Sequence, residues 1–129
     1  MCGIAGIVGK INPRDRTVVE SMNAIQSHRG PDMDKVCEFD GAVLGHRRLS
    51  IIDLDDRSSQ PMVSGDGRYV IVFNGEIYNF KKLYETYLEK QKYFCHSNTD
   101  TETLLNLHEV ISAEEVFDNL RGMFAYIIY

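Results

Sequence analysis

Hydrophobic and polar positions along the chain alternate between strand-like and helix-like periods. Ile4-Ala5-Gly6-Ile7-Val8 is a short apolar run consistent with a buried strand, closed by Gly9. Val18, Met22 and Ile25 fall at i, i+4 and i+7, which predicts an amphipathic helix from about Arg16 to Ser27. His28-Arg29-Gly30-Pro31-Asp32 joins a glycine to a proline and reads as a loop. Val36 to Phe39 and Ala42 to Gly45 form a hairpin pattern around the turn pair Asp40-Gly41. Leu49 to Leu54 reads as a further extended segment, ending in the polar stretch Asp55 to Gln60.

The second half repeats the alternation. Tyr69-Val70-Ile71-Val72-Phe73 is uninterrupted and β-branched, as expected of a strand buried on both faces, and it leads into Asn74-Gly75, a predicted turn. Phe80, Leu83, Tyr84, Tyr87 and Leu88 form the clearest helical stripe in the chain. Thr99 and Glu102 have capping-box spacing before a helix carrying Leu104, Leu107 and Ile111. Ser112 and Glu115 repeat that signal for a short helix ending near Leu120, and Gly122 precedes a last apolar strand, Met123 to Tyr129. A strand of that composition needs neighbours to cover it, so the expectation is a domain whose C-terminal part is missing.

The 129 residues fit one domain large enough for a real core. Runs long enough to span a membrane are absent from the sequence. The formal charge of -5, with only the short basic cluster His46-Arg47-Arg48, argues against a nucleic-acid partner. The N-terminus lacks the basic-then-apolar layout of a secretory signal, so the expected compartment is the cytoplasm. Cys2, Cys37 and Cys95 have no paired spacing, and suggest neither a disulfide framework nor a zinc site.

Four features could carry chemistry, and each has an ordinary structural reading beside it. Removal of Met1 would leave Cys2 with a thiol and an α-amine on one residue, the amine titrating at about 8 and able to act as a base; otherwise Cys2 is a small residue beginning a strand. Asn74-Gly75-Glu76 could aim a side-chain amide and a backbone N–H at one point, as an oxyanion hole requires, or be an ordinary hairpin turn. In Arg47-Arg48-Leu49-Ser50-Ile51 an arginine on an extended segment could clamp a carboxylate, or be solvated with its stem packed on apolar neighbours. Asp100, in the first turn of a helix, could hold a ligand ammonium group or complement the helix dipole. Together these parts suit an amide substrate that is also an amino acid, a description glutamine fits.

The segments MCGIAGIVG, HRGPD, GHRRLSIIDL, QPM, FNGEIYN, NTDTE and LRGMFAY, in this order, resemble class II glutamine amidotransferases of the N-terminal-nucleophile hydrolase superfamily, and specifically the asparagine synthetase branch. The resemblance covers essentially the whole chain. It implies an α+β fold, an αββα four-layer sandwich that is C-terminally incomplete here, and glutamine as substrate. By the same resemblance Cys2 is the nucleophile, Asn74 and Gly75 form the oxyanion hole, and Arg48 holds the substrate α-carboxylate. Leu49 and Ile51 line the pocket, Glu76 and Asp100 bind the α-ammonium, and Arg29 and Asp32 order a loop near the site. Cys37 and Cys95 match no functional motif and are read as structural. No cofactor is implied for this chain. ATP and magnesium belong to a C-terminal synthetase domain, a partner whose Ser-Gly-Gly nucleotide loop does not occur here. Alternatives are an amidotransferase-like domain serving another acceptor, such as a sugar or a peptide-like precursor, or an inert glutamine-binding or oligomerising fragment. Pairing of two chains through the exposed sheet edge, as a homodimer, is a further expectation.

Overall fold

The computed structural model describes residues 2–49, 59–93, 95, 97 and 99–129. It contains strands β1 (Gly3–Val8), β2 (Met33–Phe39), β3 (Ala42–Arg48), β4 (Met62–Val63), β5 (Val70–Ile77) and β6 (Gly122–Ile128). The helices are α1 (Asp15–Ile25), α2 (Phe80–Leu83), α3 (Asp100–Val110) and α4 (Ala113–Asn119). Two small antiparallel sheets result, one in the order β1-β3-β2 and the other β4-β5-β6.

The two-residue side-chain period of each strand sorts the apolar residues into three separate cores. On one face of the first sheet, Ala5 and Val43 pack with Val19 of α1. Its opposite face meets the second sheet, where Ala42 and Leu44 lie against Val70 and Val72, with Ile4 and Ile127 at the border. The far face of the second sheet contributes Ile71, Phe73 and Ile77 to the largest cluster, which they share with Leu83, Leu88, Leu104, Leu105 and Leu107. Val70 through Phe73 are all at most 3% exposed, as the unbroken apolar run requires of a strand covered on both faces.

Most predicted elements occur at their predicted places, and the exceptions are instructive. Asn74-Gly75 is not a turn. β5 continues through it, pairing Asn74 with Ala125 and Gly75 with Phe124, and the chain turns only at Tyr78-Asn79. The Asn79 side chain closes that end, accepting from the Arg121 backbone N–H at 3.0 Å and donating to the Asn119 carbonyl at 2.8 Å.

The apolar stripe of α1 faces outward. Val18, Met22 and Ile25 are exposed, Ile25 to 76%, whereas Val19 and Asn23 are fully buried. Asn23 belongs inside because its amide donates to the Asp34 carboxylate at 2.9 Å, a tertiary partner that no helical period reveals.

The Phe80 to Leu88 stripe does pack inward, but as one α-turn followed by a π-turn over Tyr84–Leu88 and a 3-10 turn over Glu89–Gln91. Thr99 and Ser112 cap their helices as predicted, accepting from the backbone N–H of Glu102 and Glu115. The reciprocal half of the first box is displaced. The buried Glu102 carboxylate accepts from the Ser97 N–H at 2.6 Å and the Ser97 hydroxyl at 2.7 Å, instead of reaching Thr99. The extended segment predicted from Leu49 to Leu54 lies, beyond Leu49, outside the described residues. Among the described residues no helix is long and apolar enough to cross a membrane.

Leu44→Ala, which empties the layer between the sheets, is expected to lower the unfolding free energy by about 2–5 kcal/mol. Ile25→Ala, on the outward face of α1, should change it by less than about 0.5 kcal/mol. Urea denaturation of both variants checks the assignment of the helix face, and comparable losses would show that Ile25 is buried.

Candidate functional site at the edge of the inter-sheet layer

β1 and β3 run antiparallel, and their pairing ends at Gly3 opposite Arg47. Cys2 and Arg48 are therefore the next residues on the two chains. Side-chain alternation puts both on the face that also carries Ile4 and Leu44, toward the second sheet. On β5, Asn74 continues the face of Val70 and Val72, toward the first sheet. Cys2, Arg48 and Asn74 thus lie on facing sides of the same inter-sheet layer, at one of its ends. Leu49 follows directly and is half-buried, while Ile51 lies outside the described residues.

The loop containing HRGPD holds the Cys2 end of this arrangement. Arg29 donates through Nε to the Cys2 carbonyl at 3.0 Å, and the Gln26 amide donates to the Ile4 carbonyl at 3.2 Å. Arg47 donates to the Gly30 carbonyl at 2.9 Å and pairs with Asp34 at 2.8 Å. The Asp32 N–H donates to the Arg48 carbonyl at 3.1 Å. Gly30 lies so close to β3 that a Cβ there would stand 2.5 Å from the Arg47 carbonyl carbon. Arg29, through its side chain, and Asp32, through its backbone N–H, thus contact main-chain groups of Cys2 and Arg48.

β5 supplies the other wall. Its register directs the peptide groups of even-numbered residues to β6, as the reciprocal bonds of Val70 with Tyr129 and the Tyr78 N–H to Arg121 bond show. Phe73, Gly75 and Ile77 consequently face the opposite edge, where among the described residues β4 pairs as far as Met62 opposite Ile71. Side chains complete this edge on both sides of Gly75. The Phe73 N–H donates to Gln60 Oε1 at 2.5 Å, and the Phe73 carbonyl accepts from His46 Nε2 at 3.2 Å. Ile77 N–H donates to Asp100 Oδ2 at 3.0 Å.

Gly75 itself has φ +147, and a Cβ there would lie 2.2 Å from the Met123 carbonyl oxygen and 2.5 Å from Phe124 Cα. Only glycine fits that approach to β6. Asn74 is half-buried, and among the described residues nothing hydrogen-bonds its side-chain amide. Glu76 is exposed on the same strand. Asp100 comes beside it through the Ile77 bond, and its second oxygen accepts from the Thr101 N–H at 2.8 Å. A carboxylate offers about four acceptor positions, so these bonds leave room for a cationic ligand group.

His46 and Gln60 were given no role by the residue pattern, yet they bridge the two sheets and the helix layer at this point. His46 is 2% exposed. Because a carbonyl can only accept, its Nε2 carries the proton. Burial, opposed by the Phe73 hydrogen bond and reinforced by the nearby Arg48 charge, pulls its pKa down to about 4, so the ring is neutral at pH 7. Gln60 is buried too, and its amide donates to Thr101 Oγ1 at 3.4 Å. The sequence signal that could have singled them out is an uncharged polar or titratable residue next to an apolar run, in His46 after Val43-Leu44-Gly45 and Gln60 before Pro61-Met62.

The other two cysteines stand apart. Cys37 is half-buried on β2 opposite Leu44. Cys95 accepts from the Asn106 amide at 3.2 Å, and burial pushes its thiol pKa up, away from the reactive thiolate.

Comparison with known proteins places the chain in a family. Residues 1–129 match the family described as a glutamine amidotransferase domain, and the chain belongs to that family. Among curated relatives, asparagine synthetase (glutamine-hydrolyzing) 1 of Bacillus subtilis is 40% identical over 134 residues, covering the whole chain and 21% of the relative. Asparagine synthetase B (glutamine-hydrolyzing) of Escherichia coli is 32% identical over the whole chain and 23% of its own length. A probable asparagine synthetase (glutamine-hydrolyzing) of Dictyostelium discoideum is 31% identical, with the same 23% share. The chain spans about a fifth of the length of these relatives.

The neutral His46 has a measurable consequence. Its folded pKa of about 4 lies below the unfolded value of 6.5. As pH falls from about 6.5 to about 4 the unfolded chain takes up a proton that the folded chain refuses. Stability should then fall by roughly 1.4 kcal/mol per pH unit from this group, on the order of 3 kcal/mol in all. His46→Gln keeps an amide donor and removes the titration, so its unfolding free energy should decline less than the parent's over that window. Equal declines in urea titrations at pH 7, 6, 5 and 4.5 would contradict a buried neutral imidazole.

Proposed function

We propose that this chain hydrolyses the side-chain amide of glutamine, releasing ammonia and leaving glutamate, with Cys2 as the nucleophile. The observation that carries the reading is the match of residues 1–129 to the glutamine amidotransferase domain. The convergence of Cys2, Arg48 and Asn74 on one end of the inter-sheet layer supports it. So does the sequence of cores, with α1, the two sheets and α2–α4 following one another as in an αββα sandwich.

In this reading Met1 is removed, and the freed α-amine of Cys2 takes the thiol proton. The thiolate attacks the amide carbon, and the carbonyl oxygen becomes an oxyanion held by the Asn74 side chain and the Gly75 N–H. The tetrahedral intermediate collapses as the protonated α-amine gives its proton to the leaving nitrogen. Ammonia departs and a thioester remains. Water, with its proton taken by the same amine, then attacks the thioester and frees glutamate and the thiol. Arg48 pairs with the substrate α-carboxylate, Glu76 and Asp100 with its α-ammonium, and Leu49 and Ile51 line the pocket. A bidentate arginine and two carboxylates select a free amino acid over an amide buried in a peptide. The relatives named asparagine synthetase (glutamine-hydrolyzing) favour asparagine formation, by an ATP-dependent domain of a longer protein, as the use of the ammonia.

The test is glutamate release from glutamine by protein whose mass shows that Met1 is absent, beside Cys2→Ala and a form retaining Met1. The first should be active. Cys2→Ala and the Met1-bearing form should each lose at least about a thousandfold in kcat. Activity surviving in Cys2→Ala would remove Cys2 from the mechanism.

A further inference from the structure

Phe73 sits immediately before Asn74, and the two peptide groups that flank it are both held at the edge of β5 away from β6. The Phe73 N–H is taken by Gln60 and its carbonyl by His46. The register that sets Met62 opposite Ile71 brings Gln60 opposite Phe73, but the side chain, not the backbone, accepts there. We propose that His46 and Gln60 are positioning residues for the oxyanion site, holding the Phe73 main chain so that the Asn74 amide and the Gly75 N–H stay aimed at one point. This inference rests on the glutaminase reading above.

Three observations distinguish this from two satisfied core residues. Asn74 and Gly75 follow Phe73 directly, so a rotation of the peptide groups on either side of Phe73 is passed along the strand to both donors. Each holder also reaches a second part of the site. His46 lies opposite Ile4 on β1, two residues from Cys2, and immediately precedes the Arg47-Arg48 pair. Gln60 donates to Thr101, next to Asp100. Finally, the edge is completed by side chains at Phe73 and Ile77, with Gly75 between them. A full-length neighbouring strand would place its own peptide groups opposite Gly75 and compete for the N–H that the oxyanion needs. Among the described residues, side chains from separate segments hold the strand on either side of that position instead. Electrostatic stabilisation of an oxyanion depends on donors fixed before charge develops, so a loosened donor costs turnover more than substrate binding.

The experiment compares the Met1-free parent with His46→Leu, Gln60→Met and the donor-retaining His46→Gln. Three quantities are read: kcat per active site titrated with a chloroketone analogue of glutamine, KM for glutamine, and the Ki of glutamate γ-aldehyde, whose adduct with a thiol carries the oxyanion. His46→Leu and Gln60→Met are expected to lower kcat by about 10- to 100-fold while KM changes less than about threefold. The affinity for the aldehyde should fall in step with kcat/KM, and His46→Gln should recover most of both. A merely structural role predicts a lower melting temperature and fewer titratable sites, with kcat per site and Ki unchanged, and that result overturns the proposal. If His46→Leu does not fold, Gln60→Met and His46→Gln decide by the same criteria. A parent that releases no glutamate overturns the glutaminase reading and this inference with it. An active parent with unaffected variants overturns the inference alone.

Discussion

Strand β5 is covered on both faces from Val70 to Phe73, so the peptide groups of that stretch must find partners inside the protein. Val70 and Val72 face the first sheet, and Ile71, Phe73 and Ile77 face the helices. One edge is satisfied by β6 along its whole length. Among the described residues the other is met by β4 at two positions, and beyond them Gln60, His46 and Asp100 supply partners. Those three side chains come from three different segments, and meeting the need of one buried strand draws them to the same place. The candidate site is a by-product of that satisfaction, with Gly75 standing between the two completed positions.

The first sheet is tied to this wall by the same logic. The neutral imidazole of His46 is affordable in a buried layer because its proton has a carbonyl to go to and its charge is absent at pH 7. Around that end of β1 and β3, Arg29, Gly30 and Arg47 act on main-chain atoms, so the Cys2 end of the chain is held by its own carbonyl, and among the described residues no hydrogen bond uses its thiol. The chain belongs to the glutamine amidotransferase domain family.

Much of the fold was legible in the chain. The hairpin about Asp40-Gly41, the doubly buried run at Val70 to Phe73, the caps Thr99 and Ser112 and the inward stripe from Phe80 to Leu88 all follow from local period and local capping chemistry. The segments carrying the family resemblance were also readable, since they are strings of neighbouring residues. With them came the expected set Cys2, Arg48, Asn74, Gly75, Glu76 and Asp100. Within that set, the fold brings Asp100 to Ile77 beside Glu76, and sets Cys2 and Arg48 on one strand pair.

Local period fails where a residue's environment is decided by chain far away. The Asn-Gly pair is a turn by its own propensity, but β6 offers a backbone that only a glycine can approach, so the strand runs on. The apolar stripe of α1 has the right spacing for a core face, yet Val19 and Asn23 are the residues turned inward, because Asp34 and the β3 backbone are there to receive Asn23. His46 and Gln60 carry no sign in the sequence of what they hold, since hydrogen bonds to Phe73 span 27 and 13 residues of chain. The sequence by itself determined most of the segments that become strands and helices and the family they belong to, because those depend largely on neighbours along the chain. Which polar groups meet across the sheets, and so where a reactive site can stand, was decided only by the packed structure, where burial compels each peptide group to find a partner.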